Sequence, residues 1–324
     1  MHTIQELQDK INQKLLEQKF EGNPPLLYEP ISYTLSQGGK RMRPLLAMLA
    51  CDMFGGNIEN AIYPAIGMEI FHNFTLLHDD IMDKAPIRRG KETVYKKWNT
   101  NIAILSGDTM FAMAYEYILK TEIKFIPDVL HVLNRTAIEV CEGQQFDMNF
   151  ETAENISIPD YLEMIRLKTA VLLGGSLKIG AIIGGANKEN ANHIYNFGVN
   201  IGLAFQLKDD LLDVYSDVEK FGKITGGDIV TNKKTYLYLK AFELAKGEKL
   251  DNLKTYFSLP EKESEKKITG VKSVYNELNI EALTIAQMQQ YYNKAIECLN
   301  KIAIEPSQKQ NLLNFAQHLM ERES

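Results

Sequence analysis

The sequence predicts an all-α protein built as one large domain over residues 1–324. Apolar residues recur at spacings of three and four, as in Ile4, Leu7, Ile11 and Leu15, which is the period of a helix. Few segments alternate in the manner of a strand, and the Asn-Gly and Asp-Gly pairs typical of hairpins are absent. No linker-like or low-complexity stretch divides the chain.

Further signals predict where individual helices run. Apolar spacing continues over residues 62–81 for about five turns, which predicts a long helix. Pro44 opens an apolar run, as proline does at helix starts, and Ser157 is a candidate helix cap. No proline lies between residues 160 and 259, which favours uninterrupted helices. The polar segment 246–272 is expected to be an exposed helix and loop and receives no role.

Composition restricts the function classes. The 324 residues are 45% hydrophobic, enough for a core, and this excludes a disordered chain. Lys and Arg total 36 against 42 Asp and Glu, a net charge of -6, which argues against a nucleic-acid backbone as partner.

Cysteine usage and apolar runs predict the compartment. Cys51, Cys141 and Cys298 lie far apart and form no pair typical of a disulfide framework or zinc site, so a reducing cytoplasm is expected. The N-terminus lacks the apolar core of a signal peptide. The apolar run 170–186 is interrupted by Lys178, which favours a buried core helix over a membrane span.

Two copies of a DDxxD motif are the candidate metal-binding residues. The first comprises Asp79, Asp80 and Asp83, and the second comprises Asp209, Asp210 and Asp213. Residues four apart on a helix differ by roughly 40°, so the first and last aspartate of each motif share a face. Like charges at this spacing repel, and the neighbouring residues are apolar. One copy alone would be a solvated acidic turn, but two favour Mg²⁺, which accepts carboxylate oxygens together with substrate phosphates.

Basic residues accompany the motifs. They comprise Lys40, Arg41 and Arg43 in GGKRMRP, Arg88 and Arg89 before Gly90, and Lys168, Lys223 and Lys233. Arginines pair well with phosphates, and glycines before a helix start suit an anion site, although a basic surface turn is an equal alternative. Each lysine alone would be solvated. His72 lies two turns before Asp79 and is either a phosphate donor or a core histidine.

Taken together, these residues resemble the trans-isoprenyl diphosphate synthases, or polyprenyl synthetases. The similarity runs from about Tyr28 to Tyr238. Its motifs are GGKRMRP (38–44), HNFTLLHDDIMD (72–83), RRG (88–90), GQQFD (143–147), KT (168–169), FQLKDDLLD (205–213) and FGKITGGDI (221–229). The resemblance implies the isoprenoid synthase fold, in which long helices surround a central cavity, and a homodimer.

The resemblance also implies roles for individual residues. Three Mg²⁺ ions would be held directly by Asp79, Asp83 and Asp209, with Asp80, Asp210 and Asp213 in or behind the ligand shell. Arg88, Lys168, Lys223 and Lys233 would contact the allylic diphosphate. Lys40, Arg41, Arg43, His72 and Arg89 would bind isopentenyl diphosphate. Thr169 and Gln206 would face the developing allylic cation.

The implied reaction is a condensation of isopentenyl diphosphate with dimethylallyl, geranyl or farnesyl diphosphate. Phe74 lies five residues before Asp79 and would form the floor of the product tunnel, beside the small Thr75. This pattern favours a geranylgeranyl product, then farnesyl, unless Phe74 is only a core residue. Alternatives are a longer-chain polyprenyl synthase, a class I terpene cyclase and a regulatory subunit, the last weakened because both aspartate motifs are intact.

Overall fold

The computed structural model describes residues 1–216 and 226–321, which fold almost entirely into α-helices as predicted. In chain order the first are α1 (Ile4–Glu17), α2 (Pro25–Ser36), α3 (Met42–Met53), α4 (Ile58–Met82), α5 (Val94–Lys97), α6 (Thr100–Ile118), α7 (Ile126–Thr152) and α8 (Ile158–Ile165). A π-helix (Arg166–Ala170) then leads into α9 (Val171–Ile183) and α10 (Lys188–Tyr215). The remainder are α11 (Gly227–Val230), α12 (Tyr236–Leu244), α13 (Glu248–Phe257), α14 (Ser264–Glu277), α15 (Ile280–Asn300) and α16 (Pro306–Glu321). Short 3₁₀ turns occupy Ile123–Phe125 and Glu261–Glu263.

Local signals correctly predicted the buried stripe of α1 and the start of α8. Leu7 and Ile11 of the predicted stripe are completely buried on α1. The Ser157 hydroxyl accepts the main-chain N–H of Asp160, and the Asp160 carboxylate accepts from Ser157 in return, which is a capping box. Such caps satisfy amides that the first helical turn leaves unbonded.

A small hairpin departs from the helical expectation. Strands β1 (Ile87–Arg88) and β2 (Lys91–Glu92) pair antiparallel, with Arg88 opposite Lys91. The two turn residues, Arg89 and Gly90, both have positive φ (53° and 74°), as a tight hairpin turn requires. Arginine is not a favoured residue at the first of these positions, so residue preferences did not predict the hairpin.

The apolar run over residues 170–186 forms buried helix α9, as predicted. Its Gly180 lies directly against the main chain of Ala47 on α3, where an added Cβ would overlap the Ala47 carbonyl oxygen. Glycine therefore allows the two helices to approach closely. No single helix among residues 1–216 and 226–321 is long and apolar enough to cross a membrane, although α6 and α7 meet that criterion jointly as a bent pair.

Contacts between Cα atoms divide the chain into two units. The first unit comprises Met1–Arg135, Gly175–Tyr195 and Ile302–Asn311. The second comprises Thr136–Gly174, Asn196–Lys301 and the chain from Leu312 onward. In the first unit α4 packs on α3 and α6, and in the second α14 packs on α11, α13 and α15.

The polar segment 246–272 is less exposed than expected. It forms α13 and the start of α14, as the prediction of helix and loop required. Lys267, however, is only 1% exposed. A buried ammonium group needs hydrogen-bond acceptors, which sequence spacing does not reveal.

Replacing Gly180 by Ala should destabilise the first unit. The added methyl group has no space against the Ala47 carbonyl, and because main chain cannot move aside as a side chain can, we expect a loss of about 3 kcal/mol or more. Thermal or urea unfolding measures this. Lys178→Ala, two residues earlier on α9, is the matched control and should cost under about 1 kcal/mol. If Gly180→Ala were as stable as wild type, α9 and α3 could not be as close at Gly180 and Ala47 as described.

Candidate active site

The first aspartate motif lies at the C-terminal end of α4 in the first unit. Asp80 is buried at 5% exposure, whereas Asp83, the residue that caps the helix, is exposed. Arg88 Nε donates to Asp80 Oδ1 (2.6 Å), and Arg88 Nη2 lies 3.6 Å from Asp79 Oδ2. Burial raises the pKa of Asp80, and the Arg88 charge opposes that rise. The middle aspartate is thus bound by protein, while Asp79 and Asp83 lie on the shared face predicted for them.

The hairpin places the two predicted arginines on different partners. Arg88 reaches the aspartates of α4, and Arg89 donates to the main-chain carbonyl of Gly38. The Arg89 guanidinium therefore lies on the glycine-rich loop before α3. Lys40 belongs to this loop, and Arg43 lies in the first turn of α3. Burial lowers the pKa of Arg89, and the carboxylate of Glu69 partly offsets this.

A basic pocket of ≈ 420 Å³ brings together one group of predicted residues. Its lining includes Lys40, Arg41, Arg43, His72 and Arg89. Burial lowers the pKa of Arg43 to about 10, and the pKa of His72 lies well below its usual value because of burial and the neighbouring arginines. His72 is therefore a neutral imidazole at neutral pH. Within residues 1–216 and 226–321, Arg43 Nε is buried without an acceptor, and an anion in this pocket would supply one.

Glu69 also lines this pocket and is acidic. The sequence analysis assigned no role to this residue. Its Oε1 accepts from Arg41 Nη1 (2.6 Å) and from Asn73 Nδ2 (3.0 Å). Arg41 also donates to the Leu35 carbonyl (2.6 Å). The guanidinium of Arg41 is thereby held inside the protein. The signal available in the sequence was the spacing of Glu69 and His72, which share a helical face.

The second aspartate motif, on α10 in the second unit, repeats the pattern of the first. Asp210 is buried at 3% exposure and accepts from the Tyr161 hydroxyl of α8, while Asp209 is exposed. Asp213 Oδ2 accepts the main-chain N–H of Asp228 (2.9 Å). Burial raises the pKa of Asp210 to about 7, and Asp228 contributes to the rise. In both motifs the middle carboxylate is bound to a neighbouring element.

Lys168 and Thr169 lie on the π-helix. Lys168 Nζ is 2.5 Å from Asp147 Oδ2 of α7, and Thr169 Oγ1 is 3.4 Å from Gln206 Oε1 of α10. Gly143 makes this arrangement possible, because a Cβ there would overlap the main-chain nitrogen of Lys168. Single π-turns often occur at functional sites, since the extra residue redirects the side chains that follow. The structure therefore places Thr169 against Gln206, directly after Lys168 in the chain.

The two remaining lysines of the predicted site are Lys233 and Lys223. Lys233 Nζ lies 3.8 Å from Asp228 Oδ1 in the second unit. Lys223 falls outside the described residues.

Phe74 belongs to an aromatic cluster in the first unit. Its ring centroid is 5.6 Å from that of Phe71, 5.2 Å from that of Phe111 and 4.8 Å from that of His78. The Thr75 hydroxyl donates to the His72 carbonyl (2.8 Å). Phe74 is half-buried, so its ring can contact a ligand as well as these neighbours.

Three residues that the sequence left unassigned support the predicted ones. Asp147 binds Lys168, and Tyr161 binds Asp210. Asp228 lies beside Asp213 and Lys233. Asp147 closes the GQQFD motif and Asp228 lies within FGKITGGDI, so motif membership was an available signal. Tyr161 had none.

The carboxylates fit Mg²⁺ by their chemistry. Among the described residues no three His, Cys, Asp or Glu side chains form a ready cluster for a metal ion. In phosphate-binding sites Mg²⁺ needs only one or two carboxylates, with the remaining ligands from phosphate and water. Asp228 has a raised pKa, caused first by burial, with Asp213 and Asp147 adding to the rise. A bound cation would relieve this crowding of negative charge.

Two aspartate motifs and a basic pocket on an all-α chain define an enzyme that acts on diphosphate esters. A sequence model described as polyprenyl synthetase matches residues 24–278, and the chain belongs to that family. The geranylgeranyl diphosphate synthase of Methanosarcina mazei is 43% identical over 230 residues, 70% of each chain. That of Sulfolobus acidocaldarius is 36% identical over 296 residues, 89% of this chain and 88% of its own. A crystal structure of a geranylgeranyl pyrophosphate synthase superposes with a TM-score of 0.94 at 44% identity and covers 100% of both chains. The predicted family, all-α fold and prenyltransferase class are confirmed.

Gly143→Ala should impair prenyl transfer as well as lower stability, because the added Cβ would overlap the main chain of Lys168. The new methyl group would push the π-helix away from α7, and a displacement of Lys168 and Thr169 by about 1 Å can cost on the order of 100-fold in rate. Steady-state kinetics and thermal unfolding measure both effects. Gln145→Ala, at an exposed position of the same helix, is the control and should be near wild type in both. Unchanged kcat/KM in Gly143→Ala would contradict the positional role of this contact.

Proposed function

We propose that this protein condenses isopentenyl diphosphate with an allylic diphosphate, releases diphosphate and produces a short all-trans prenyl diphosphate, with geranylgeranyl diphosphate as the favoured product. The observation that carries the proposal is the basic pocket, where Lys40, Arg41, His72 and Arg89 surround Arg43, whose buried Nε has no hydrogen-bond partner among the described residues. The relatives named above as geranylgeranyl diphosphate synthases support the product length.

The outer aspartates are proposed as the metal ligands. Asp79 and Asp83 share one face of α4, and Asp209 is exposed on α10. Bound Mg²⁺ would neutralise the allylic diphosphate and make it a leaving group. Asp80 and Asp210 are bound to Arg88 and Tyr161, so we propose that they orient the motifs from behind the ligands. Asp213 accepts the main-chain N–H of Asp228 through Oδ2, so we propose that it supports the ligand set from the 226–235 side.

Isopentenyl diphosphate is proposed to bind in the basic pocket. Lys40, Arg43 and Arg89 supply charge, and neutral His72 supplies one ring N–H. Arg41 donates to the Glu69 carboxylate and to the Leu35 carbonyl. We therefore propose that it shapes the glycine-rich loop before α3 and does not contact phosphate directly.

The allylic substrate is proposed to contact Arg88, Lys168, Lys233 and Lys223, the last of which is inferred from the resemblance alone. The dipoles of Thr169 and Gln206 lie together near Lys168 and can stabilise positive charge on the allyl group without forming a bond to it. The double bond of isopentenyl diphosphate then attacks the allylic carbon, and the C–O bond to diphosphate breaks. The proton released from the new C–C unit passes to the departing diphosphate.

One incubation tests the proposal. Purified protein, Mg²⁺ and isopentenyl diphosphate are combined with dimethylallyl, geranyl or farnesyl diphosphate in turn, and product length is read by chromatography. Consumption of isopentenyl diphosphate with a C20 product is expected. A cyclised product formed without isopentenyl diphosphate would indicate a terpene cyclase, and products well beyond C20 would indicate a longer-chain synthase. A single domain, a homodimer and a cytoplasmic location stay predictions.

Asp79→Ala and Asp209→Ala should each abolish Mg²⁺-dependent condensation. Each removes a proposed ligand of the ions that hold the diphosphate, so we expect kcat/KM to fall by about 1,000-fold or more. Asp251→Ala replaces an exposed aspartate of α13 and should leave the rate unchanged. Near wild-type turnover in either motif variant would refute the assigned ligands.

Phe74→Ala should lengthen the product. The ring lies five residues before Asp79 on α4, and its removal opens volume among Phe71 and Phe111 into which a chain can grow. Phe242→Ala removes an equally half-buried ring from a cluster in the second unit and should leave product length unchanged. The same product distribution in Phe74→Ala as in wild type would refute the floor assignment.

A further inference from the structure

Residues 226–235, called the 226–235 segment below, precede α12 and carry two charged groups of the second unit. The main-chain N–H of Asp228 donates to Asp213 Oδ2 (2.9 Å), and Lys233 Nζ lies 3.8 Å from Asp228 Oδ1. Helix α11 accounts for only four residues of the segment. A helix this short has too few internal hydrogen bonds to fix a loop, so other contacts must hold the 226–235 segment.

Lys267 of α14 makes one of these contacts. Its Nζ donates to the carbonyl of Val230, the last residue of α11 (3.0 Å), and lies 3.5 Å from the Leu259 carbonyl. The side chain is 1% exposed, and burial lowers its pKa. Burying an ammonium group is costly unless carbonyls or carboxylates accept its protons. Lys267 therefore binds the C-terminal end of α11 to α14.

Lys234 makes the second contact, on a different helix. Its Nζ lies 2.8 Å from the Phe150 carbonyl, 3.5 Å from that of Glu151 and 2.5 Å from that of Ala153. These are carbonyls at the C-terminal end of α7, where the helix dipole is negative and the last carbonyls have no partner within the helix. The same helix carries Asp147, the partner of Lys168.

Lys233 lies between these two anchor points. Its side chain is 48% exposed, in contrast to Lys267. We propose that Lys234 and Lys267 are positioning residues, which fix the main chain of the 226–235 segment so that Lys233, held beside Asp228, is preorganised for the allylic diphosphate. The inference rests on the proposed function, in which Lys233 contacts that diphosphate. A flexible lysine gains phosphate affinity when its main chain is already fixed, because less freedom is lost on binding.

Lys267→Met, Lys234→Met and the matched control Lys266→Met test the inference. Lys266 is the adjacent residue on α14, but its side chain is 67% exposed and pairs with Glu263. Each variant is assayed for kcat and for KM toward both diphosphates, and its thermal midpoint is recorded. We expect KM for the allylic diphosphate to rise about tenfold in Lys267→Met and in Lys234→Met, with KM for isopentenyl diphosphate and all parameters of Lys266→Met near wild type.

A double-mutant cycle with Lys233→Ala separates positioning from stability. If Lys267 acts through Lys233, then Lys267→Met should change allylic KM less than about threefold once Lys233 is absent. A full tenfold effect in the Lys233→Ala background, or a lowered thermal midpoint with unchanged KM in both lysine variants, would overturn the inference. A wild-type chain that consumes no isopentenyl diphosphate would contradict the proposed function itself, and with it this inference.

Discussion

The burial of one carboxylate in each aspartate motif is the constraint on which the rest of the site depends. Asp80 and Asp210 lie on apolar helices at 5% and 3% exposure, where an unpartnered charge is costly. Each is bound by a donor from a separate element, Arg88 from the hairpin and Tyr161 from α8. These two bonds hold the middle carboxylates in place, and helix geometry puts Asp79 and Asp83 on one face of α4 and Asp209 and Asp213 on one face of α10. The hairpin and α8 are thus part of the site rather than connections.

Cations and glycine contacts complete the arrangement in each unit. In the first unit Glu69 binds Arg41 and lowers the repulsion among the cations of the basic pocket. In the second unit Gly143 lets the π-helix approach α7, so that Lys168 meets Asp147. The first contact holds the Arg41 guanidinium in place, and the second holds the Lys168 ammonium group in place. The net charge of -6 is a sum over the whole chain and conceals this local separation of charge.

The sequence predicted those features that depend on neighbouring residues, such as the α1 stripe and the Ser157 cap, because their causes lie within one or two turns. The family motifs named the five basic-pocket residues, Lys40, Arg41, Arg43, His72 and Arg89, which the structure brings together. The hairpin, by contrast, has Arg89 in its turn with a positive φ, a conformation that arginine does not favour. The π-helix over Arg166–Ala170 follows from contact with another helix, and the burial of Lys267 follows from carbonyls distant in sequence. Tertiary packing determines all three, and a single sequence does not display it.

A crystal structure with Mg²⁺ and an unreactive thio-analogue of an allylic diphosphate tests the central claim most directly. The claim is that Asp79, Asp83 and Asp209 bind metal, whereas the middle aspartates Asp80 and Asp210 bind protein. The predicted result is Mg²⁺ on Asp79, Asp83 and Asp209, with Asp80 still on Arg88 and Asp210 still on Tyr161. Metal coordinated by Asp80 or Asp210, with the outer carboxylates turned away, would contradict the account.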